Sequence, residues 1–332
     1  MKVLLASLAI IGTIIGSGFI SGKEIVVFFS NFGLMSFFCI ILVFILFFYL
    51  FRLLLNYNLN EKGQKNSKFL YVLNIILSFV FSSAMFAGIS DIANDFSLFV
   101  SIPLYIFVLL ICYFIFKKGQ GGLNKINIIL IPFMICIFVF CLISKIEFKP
   151  LSFENALPPY FSFFYALFYV VLNISNSNVL ISNLGKNLSN KQKTRVAFIS
   201  ALVLFLILTF ANIVLLQNQA SFVQEMPLLS LFSGYSKIIM TLVIFIGCLT
   251  TLFSLVYSTS LSMRGLCKSE YMTFFVSVIM PFIMSLAGFS NIIMYFYPLA
   301  SVLGAILLFE LFFNSFFKRA NKKIHSSGKN TK

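Results

Sequence analysis

About ten apolar runs follow one another along the 332-residue chain, each near or above the ~20 residues a helix needs to cross ~30 Å of hydrocarbon. They fall at about 3–30, 34–55, 69–92, 97–116, 124–145, 159–184, 195–216, 236–262, 271–288 and 290–317, here called spans 1 to 10. A soluble domain carries about 25% charged residues, whereas this chain has 10% charged and 60% apolar residues and a mean hydropathy of +1.03. The expectation is an all-α integral membrane protein of about ten transmembrane helices, with almost nothing left for a soluble domain.

The residue inventory removes several enzyme classes. The single histidine, His325, lies in a polar tail, and the only aspartates are Asp91 and Asp95. Membrane metalloproteases and Ser-His hydrolases need a histidine inside the bilayer. No Gly-rich loop ends in Gly-Lys-Ser/Thr, so no ATP-driven motor is expected, and the chain reads as a non-enzyme without an organic cofactor. The cysteines at 39, 112, 136, 141, 248 and 267 fall in or beside apolar runs and read as packing residues.

The net charge of +15 reports topology. With the N-terminus inside, Lys2, the loop groups around residues 52–68, 117–125, 186–195 and 264–268, and the tail from Lys318 to Lys332 place 20 basic residues in the cytoplasm. Lys145, Lys149 and Lys237 remain outside, and Lys23 lies within span 1. A multi-pass plasma-membrane protein with both termini in the cytoplasm follows, in contact with lipid and not with nucleic acid. Span 1 is not expected to be a cleaved signal peptide, because its apolar character resumes after Gly22 and runs to Phe29.

Three spans carry polar or small residues at bilayer depth. Span 1 has glycines at 12, 16, 18 and 22, which lower the cost of leaving helical geometry; Gly12 and Gly16 also have the spacing of a close helix-packing face. Span 6 places Asn173, Ser175, Asn176, Ser177 and Asn178 mid-membrane, a density that predicts an unwound stretch lining a cavity. Span 8 aligns Thr250, Ser254 and Ser258 on one face with Thr251 beside them; such hydroxyls often bond a carbonyl of their own helix. Spans 1 and 6 each open a group of five. Five is odd, so the second group enters the membrane with opposite orientation, as in inverted-repeat transporters. The expected units are 1–148 (spans 1–5), 149–317 (spans 6–10) and a basic cytoplasmic tail, 318–332.

The segments "GTIIGSGFISGKEIVVFFSNFG", "YVVLN…VLISNLG" and "GFSNIIMYFYPLASVLG" resemble the YkvI-like membrane proteins. That group resembles the superfamily with the LeuT-type five-plus-five inverted repeat, which implies discontinuous helices 1 and 6. In its sodium-coupled members a cation sits between helices 1 and 8. The resemblance carries its ligands onto the carbonyls of Gly12, Ile15 and Gly247 and the hydroxyls of Thr250 and Thr251, with Na+ as coupling ion. A small amino acid or amine is the implied cargo. The amides around Gly16, Ser17, Gly18, Phe19 and Ile20 would hold a carboxylate, because a half-helix N-terminus favours anions. Asn173, Ser175 and Ser177 would line the opposite wall.

Glu24 is an ionisable residue in a span and so a functional candidate, which would pair with a cargo amine or bind a proton, or else is neutralised by neighbouring Lys23. Asp91 and Asp95 read as a solvated rim at the outer end of span 3, and Glu310 as a partner of the basic tail. Pro132, Pro281 and Pro298 read as helix kinks. The expected function is a sodium-coupled secondary transporter working by alternating access. The alternative is a permease-like receptor subunit, of the germinant-receptor kind, that binds a small ligand and signals without net transport.

Overall fold

In the computed structural model, residues 2–57, 68–94, 98–147, 151, 157–263, 266 and 269–310 are described. The apolar runs close into helices because the bilayer offers their amides and carbonyls no other partner. Spans 2 to 8 are Met35–Asn56, Lys68–Asn94, Leu98–Lys118, Gln120–Ile143, Ser162–Gly185, Asn190–Gln217 and Gly234–Met263. Spans 9 and 10 are Glu270–Ala287 and Phe289–Glu310. Pro132 sits inside span 5. Pro281 and Pro298 each follow a wide π turn, at Phe275–Ile279 and Ile292–Phe296. A proline has no N–H to close the regular turn before it, which lets the helix widen there.

Span 1 is the irregular element. It runs as a helix from Lys2 to Ile14, breaks at Ile15 and Gly16, resumes as the single turn Ser17–Ile20, and restarts at Lys23–Phe28. Gly16 is extended, and its amide bonds back to Ile14 O at 3.0 Å instead of continuing the ladder. The second break needs Gly22, whose φ of +84° lies in the left-handed region that side chains disfavour. The connection between spans 7 and 8 seals this break: Leu228 N donates to Ser21 O at 2.8 Å, and Lys23 Nζ donates to Gln224 O at 2.9 Å.

Spans 1 and 6 occupy the middle of the bundle. Span 1 packs against spans 5, 7 and 8; span 3 lies along span 8; and span 2 lies along spans 6 and 7. Span 2 turns Phe38, Ile41, Ile45 and Tyr49 outward as one exposed apolar stripe at helical spacing, as a lipid-facing surface requires.

Span 6 departs from its expected interruption. It is one continuous helix from Ser162 to Gly185, straight through the polar run. Four of its polar side chains find acceptors on the same helix. Asn173 Nδ2 donates to Tyr169 O at 3.0 Å, Ser175 Oγ to Leu172 O at 3.0 Å, and Ser177 Oγ to Asn173 O at 2.6 Å. Asn178 Nδ2 bonds both Ser175 O and, at 2.8 Å, Asn74 Oδ1 of span 3. Polar density without glycine therefore reinforced this helix instead of unwinding it.

Candidate functional site

The first break of span 1 frees carbonyls that a regular helix would have used. Gly16 N turns to Ile14, and two of the carbonyls just before the break, Gly12 O and Ile15 O, face span 8. There the Thr251 hydroxyl reaches both, at 3.0 and 3.2 Å. Its neighbour Thr250 donates to Gly247 O at 3.2 Å. All five oxygens the sequence singled out thus lie on the two facing segments, joined by hydrogen bonds to Thr251 and Thr250. Thr250 and Thr251 are buried, as is the whole break.

Small residues make this proximity possible. A Cβ on Gly12 would stand 2.2 Å from Ile131 Cδ1 of span 5, and one on Gly247 would stand 2.1 Å from Ile20 Cδ1. At Gly16 an added Cβ would press on Met85 and come within 3.3 Å of Thr251 Oγ1.

A second cluster lies on the other side of the break. Glu24 is only 4% exposed, and its carboxylate folds back over Gly18, where a Cβ would stand 2.1 Å from Glu24 Oε1. Lys23 is turned away from it, held on Gln224 O. Neighbours in a helix point about 100° apart, which is why these two adjacent charges do not pair. The phenols of Tyr169 on span 6 and Tyr297 on span 10 interact with the Glu24 carboxylate. Both tyrosines are fully buried, and neither hydroxyl makes a hydrogen bond of regular geometry. Their rings are fixed by aromatic neighbours: Phe28 and Phe29 lie 5.6 and 5.0 Å from Tyr169, and Phe81 lies 4.8 Å from Tyr297.

Ser17 lies between the two clusters. Its amide and hydroxyl both contact Met85 Sδ at 3.5 Å, and its side chain nears Cys248. Gly88 leaves room for both: a Cβ there would stand 2.8 Å from Ser17 Cβ and 3.3 Å from Cys248 Sγ.

Neither tyrosine carried a signal in a sequence with 13 tyrosines and 45 phenylalanines. The one available hint was Tyr297 within "YFYP", directly after the π turn. Of the other expected residues, Asn173 lies one turn after Tyr169 and donates to its carbonyl. Ser175 faces span 10, where a Cβ on Gly304 would meet its Oγ at 2.5 Å. Asp91 is half-buried, with Oδ2 lacking a hydrogen-bond partner, whereas Asp95 and Cys267 lie outside the described residues. Glu310 is half-buried, and the tail expected to pair with it, residues 318–332, also lies outside the described residues. The described cysteines are free thiols.

Comparison with known proteins gives a consistent fold and a thin set of relatives. No family model matches the chain. It is 25% identical over 325 residues to the uncharacterized protein YyaD of Bacillus subtilis, covering 91% of this chain and 93% of that one. It is 24% identical over 326 residues to the uncharacterized membrane protein YkvI of the same organism, covering 90% and 93%. Among solved structures it is similar to Mhp1, a nucleobase-cation-symport-1 family transporter in a closed conformation with bromovinylhydantoin bound. That match has a TM-score of 0.55 and 15% identity, over 91% of this chain and 76% of Mhp1. The chain is thus a multi-pass membrane protein with a LeuT-type transporter fold.

Proposed function

We propose that the chain is a secondary transporter that moves a small amino acid or amine by alternating access, coupled to sodium, with both termini in the cytoplasm. The observation that carries this reading is the reach of the Thr251 hydroxyl to both Gly12 O and Ile15 O across a broken helix. One proton cannot serve two carbonyls fully. A sodium ion seated among Gly12 O, Ile15 O, Gly247 O and the two threonine oxygens would satisfy all of them, with each hydroxyl rotated to present a lone pair. Hard cations favour such oxygen sets, and this one adds no buried countercharge.

The same geometry links ion to movement. The ligands belong to two different helices, so the ion stabilises the arrangement in which span 1 is docked on span 8. An ion that binds one arrangement better shifts the population toward it. Cargo contacts fall to Ser17, Gly18 and Glu24 on the far side of the same break, so ion and cargo would act on one short piece of backbone. Span 6 contributes through Tyr169, since Asn173, Ser175 and Ser177 are engaged with their own helix.

The test is the thermal stability of the purified full chain in sodium against potassium, at equal ionic strength. Sodium is expected to raise the melting temperature in a saturable way, and changing Thr250 and Thr251 together to alanine is expected to abolish that rise. An equal response to both ions in the parent protein would remove the sodium assignment.

A further inference from the structure

The Glu24 carboxyl and the phenols of Tyr169 and Tyr297 lie in one neighbourhood, with phenylalanine rings packed on both tyrosines and all three groups buried from solvent. Two of the three, the phenol oxygens, lack a hydrogen bond of regular geometry, a condition that buried hydroxyls rarely tolerate unless a ligand completes them. Among the described residues no basic side chain forms an ion pair with Glu24, and Lys23 is held elsewhere on a loop carbonyl. The site therefore gathers a buried carboxyl and two phenols, and among the described residues no basic side chain pairs with that carboxyl.

A cargo carboxylate at the Ser17–Ile20 turn would lie beside the Glu24 carboxyl. At the start of the Ser17–Ile20 turn, the Ser17 amide faces Met85 Sδ, and the Glu24 carboxylate covers Gly18. The cargo carboxylate would be desolvated there without a basic partner. A zwitterionic amino acid would satisfy Glu24 with its ammonium and leave its own carboxylate buried and unpaired. An amine lacking a carboxylate would leave no buried charge unpaired, and its ammonium carries three donors, which the Glu24 carboxyl and the two phenol oxygens can accept.

We infer that the cargo is a small primary amine carried as its ammonium ion, bound by Glu24 with the Tyr169 and Tyr297 hydroxyls, and not a free amino acid. This rests on the transporter reading above and narrows its substrate class. The amine end is fixed by the acceptor trio, and the remainder of the molecule lies against the aromatic walls.

The experiment compares matched pairs that differ only by the carboxylate: isobutylamine with valine, phenethylamine with phenylalanine, and putrescine with ornithine. Binding is read as a thermal shift of the purified full chain in sodium. At least one amine is expected to bind about tenfold or more tightly than its amino acid, the scale of one uncompensated buried charge. Glu24→Gln should weaken that amine by a similar factor or more while leaving the sodium-induced shift in place, which reports an intact fold. Tyr169→Phe and Tyr297→Phe should each weaken it about three- to tenfold, as loss of one hydrogen bond to a charged group does. Should Glu24→Gln fail to fold, the tyrosine variants carry the test.

The inference is overturned if the amino acids bind as well as the amines, or if amine binding is unchanged in every folded variant. It is overturned equally if no amine in the panel binds while the sodium response is intact. Loss of the sodium response in the parent protein is a separate result, which strikes the coupling and leaves the cargo comparison to be read on its own.

Discussion

Spans 1 and 6 both lie in the middle of the bundle, and both concentrate small or polar residues at mid-span. Span 1 breaks twice, at Ile15–Gly16 and at Ser21–Gly22; span 6 runs unbroken through Asn173, Ser175, Asn176, Ser177 and Asn178. The difference lies in what each residue type does to a backbone. Glycine lowers the cost of leaving the helix and gives the freed carbonyls nothing in return, so those carbonyls must be met from outside, as Thr251 meets Gly12 and Ile15. Serine and asparagine carry their own hydrogen-bonding groups. Placed three or four residues after a carbonyl they turn inward onto the helix, as Ser177 does onto Asn173. A span poor in glycine and rich in such residues is polar in composition yet turns several of its side chains onto its own carbonyls.

On this view span 6 is a fixed post and span 1 the pliable element, and three substitutions probe that division. The largest effect is expected at Gly185, where span 6 ends against the backbone of span 2. A Cβ there would stand 2.0 Å from Leu55 O, a main-chain atom that no rotamer change can move aside. Gly185→Ala should cost about 3 kcal/mol, toward the upper end of ordinary overpacking, seen as a large fall in melting temperature with or without sodium. If the variant is as stable as the parent, span 6 can shift against span 2, and the assignment of the fixed post fails.

The next effect belongs to the pliable element. Gly22 combines a φ of +84° with a Leu228 side chain 2.8 Å from where a Cβ would stand. Gly22→Ala should cost about 1–2 kcal/mol from the left-handed conformation alone, with the Leu228 contact adding to it. Asparagine, which tolerates that conformation better, should destabilise less through the backbone than alanine. Equal losses for alanine and asparagine would mean that the Leu228 contact, and not the backbone geometry, requires glycine there.

Much of this arrangement could be read from the sequence, for physical reasons that differ by feature. The spans were legible because a bilayer allows so few solutions. Span 2, expected at 34–55, is observed at Met35–Asn56, and span 8, expected at 236–262, at Gly234–Met263. The first break was legible because Gly12, Gly16 and Gly18 cluster at mid-span, where glycine lowers the cost of leaving the helix. Span 6 was misread because polar residues were counted without asking which carbonyl each can reach. Asn173 lies four residues after Tyr169 and Ser177 four after Asn173, a spacing that already offers the helix its own acceptors. The acceptor trio was only one-third legible. Glu24 stood out as a charge in a span, whereas Tyr169 and Tyr297 come from distant parts of the chain and meet it only through the packing of spans 6 and 10 on span 1.

The smallest expected effect is the sharpest test of the comparison. Ser175 and Ser177 each bond a carbonyl of their own helix, one that is also available to the backbone ladder. Removing both hydroxyls by Ser175→Ala with Ser177→Ala leaves no distant partner unmatched. The cost should be about 0.6 kcal/mol per hydroxyl or less, the typical worth of a side-chain hydrogen bond within a membrane bundle. Ligand binding should stay within about twofold, since a shift of that size corresponds to a few tenths of a kcal/mol. The measurement is the melting temperature in sodium, together with the thermal-shift titration of whichever amine binds the parent. A loss of ligand binding with stability retained would mean that these serines turn toward the cargo in part of the transport cycle. Span 6 would then have to open as span 1 does, and the contrast between a glycine break and a self-satisfied polar helix would hold for one conformation only.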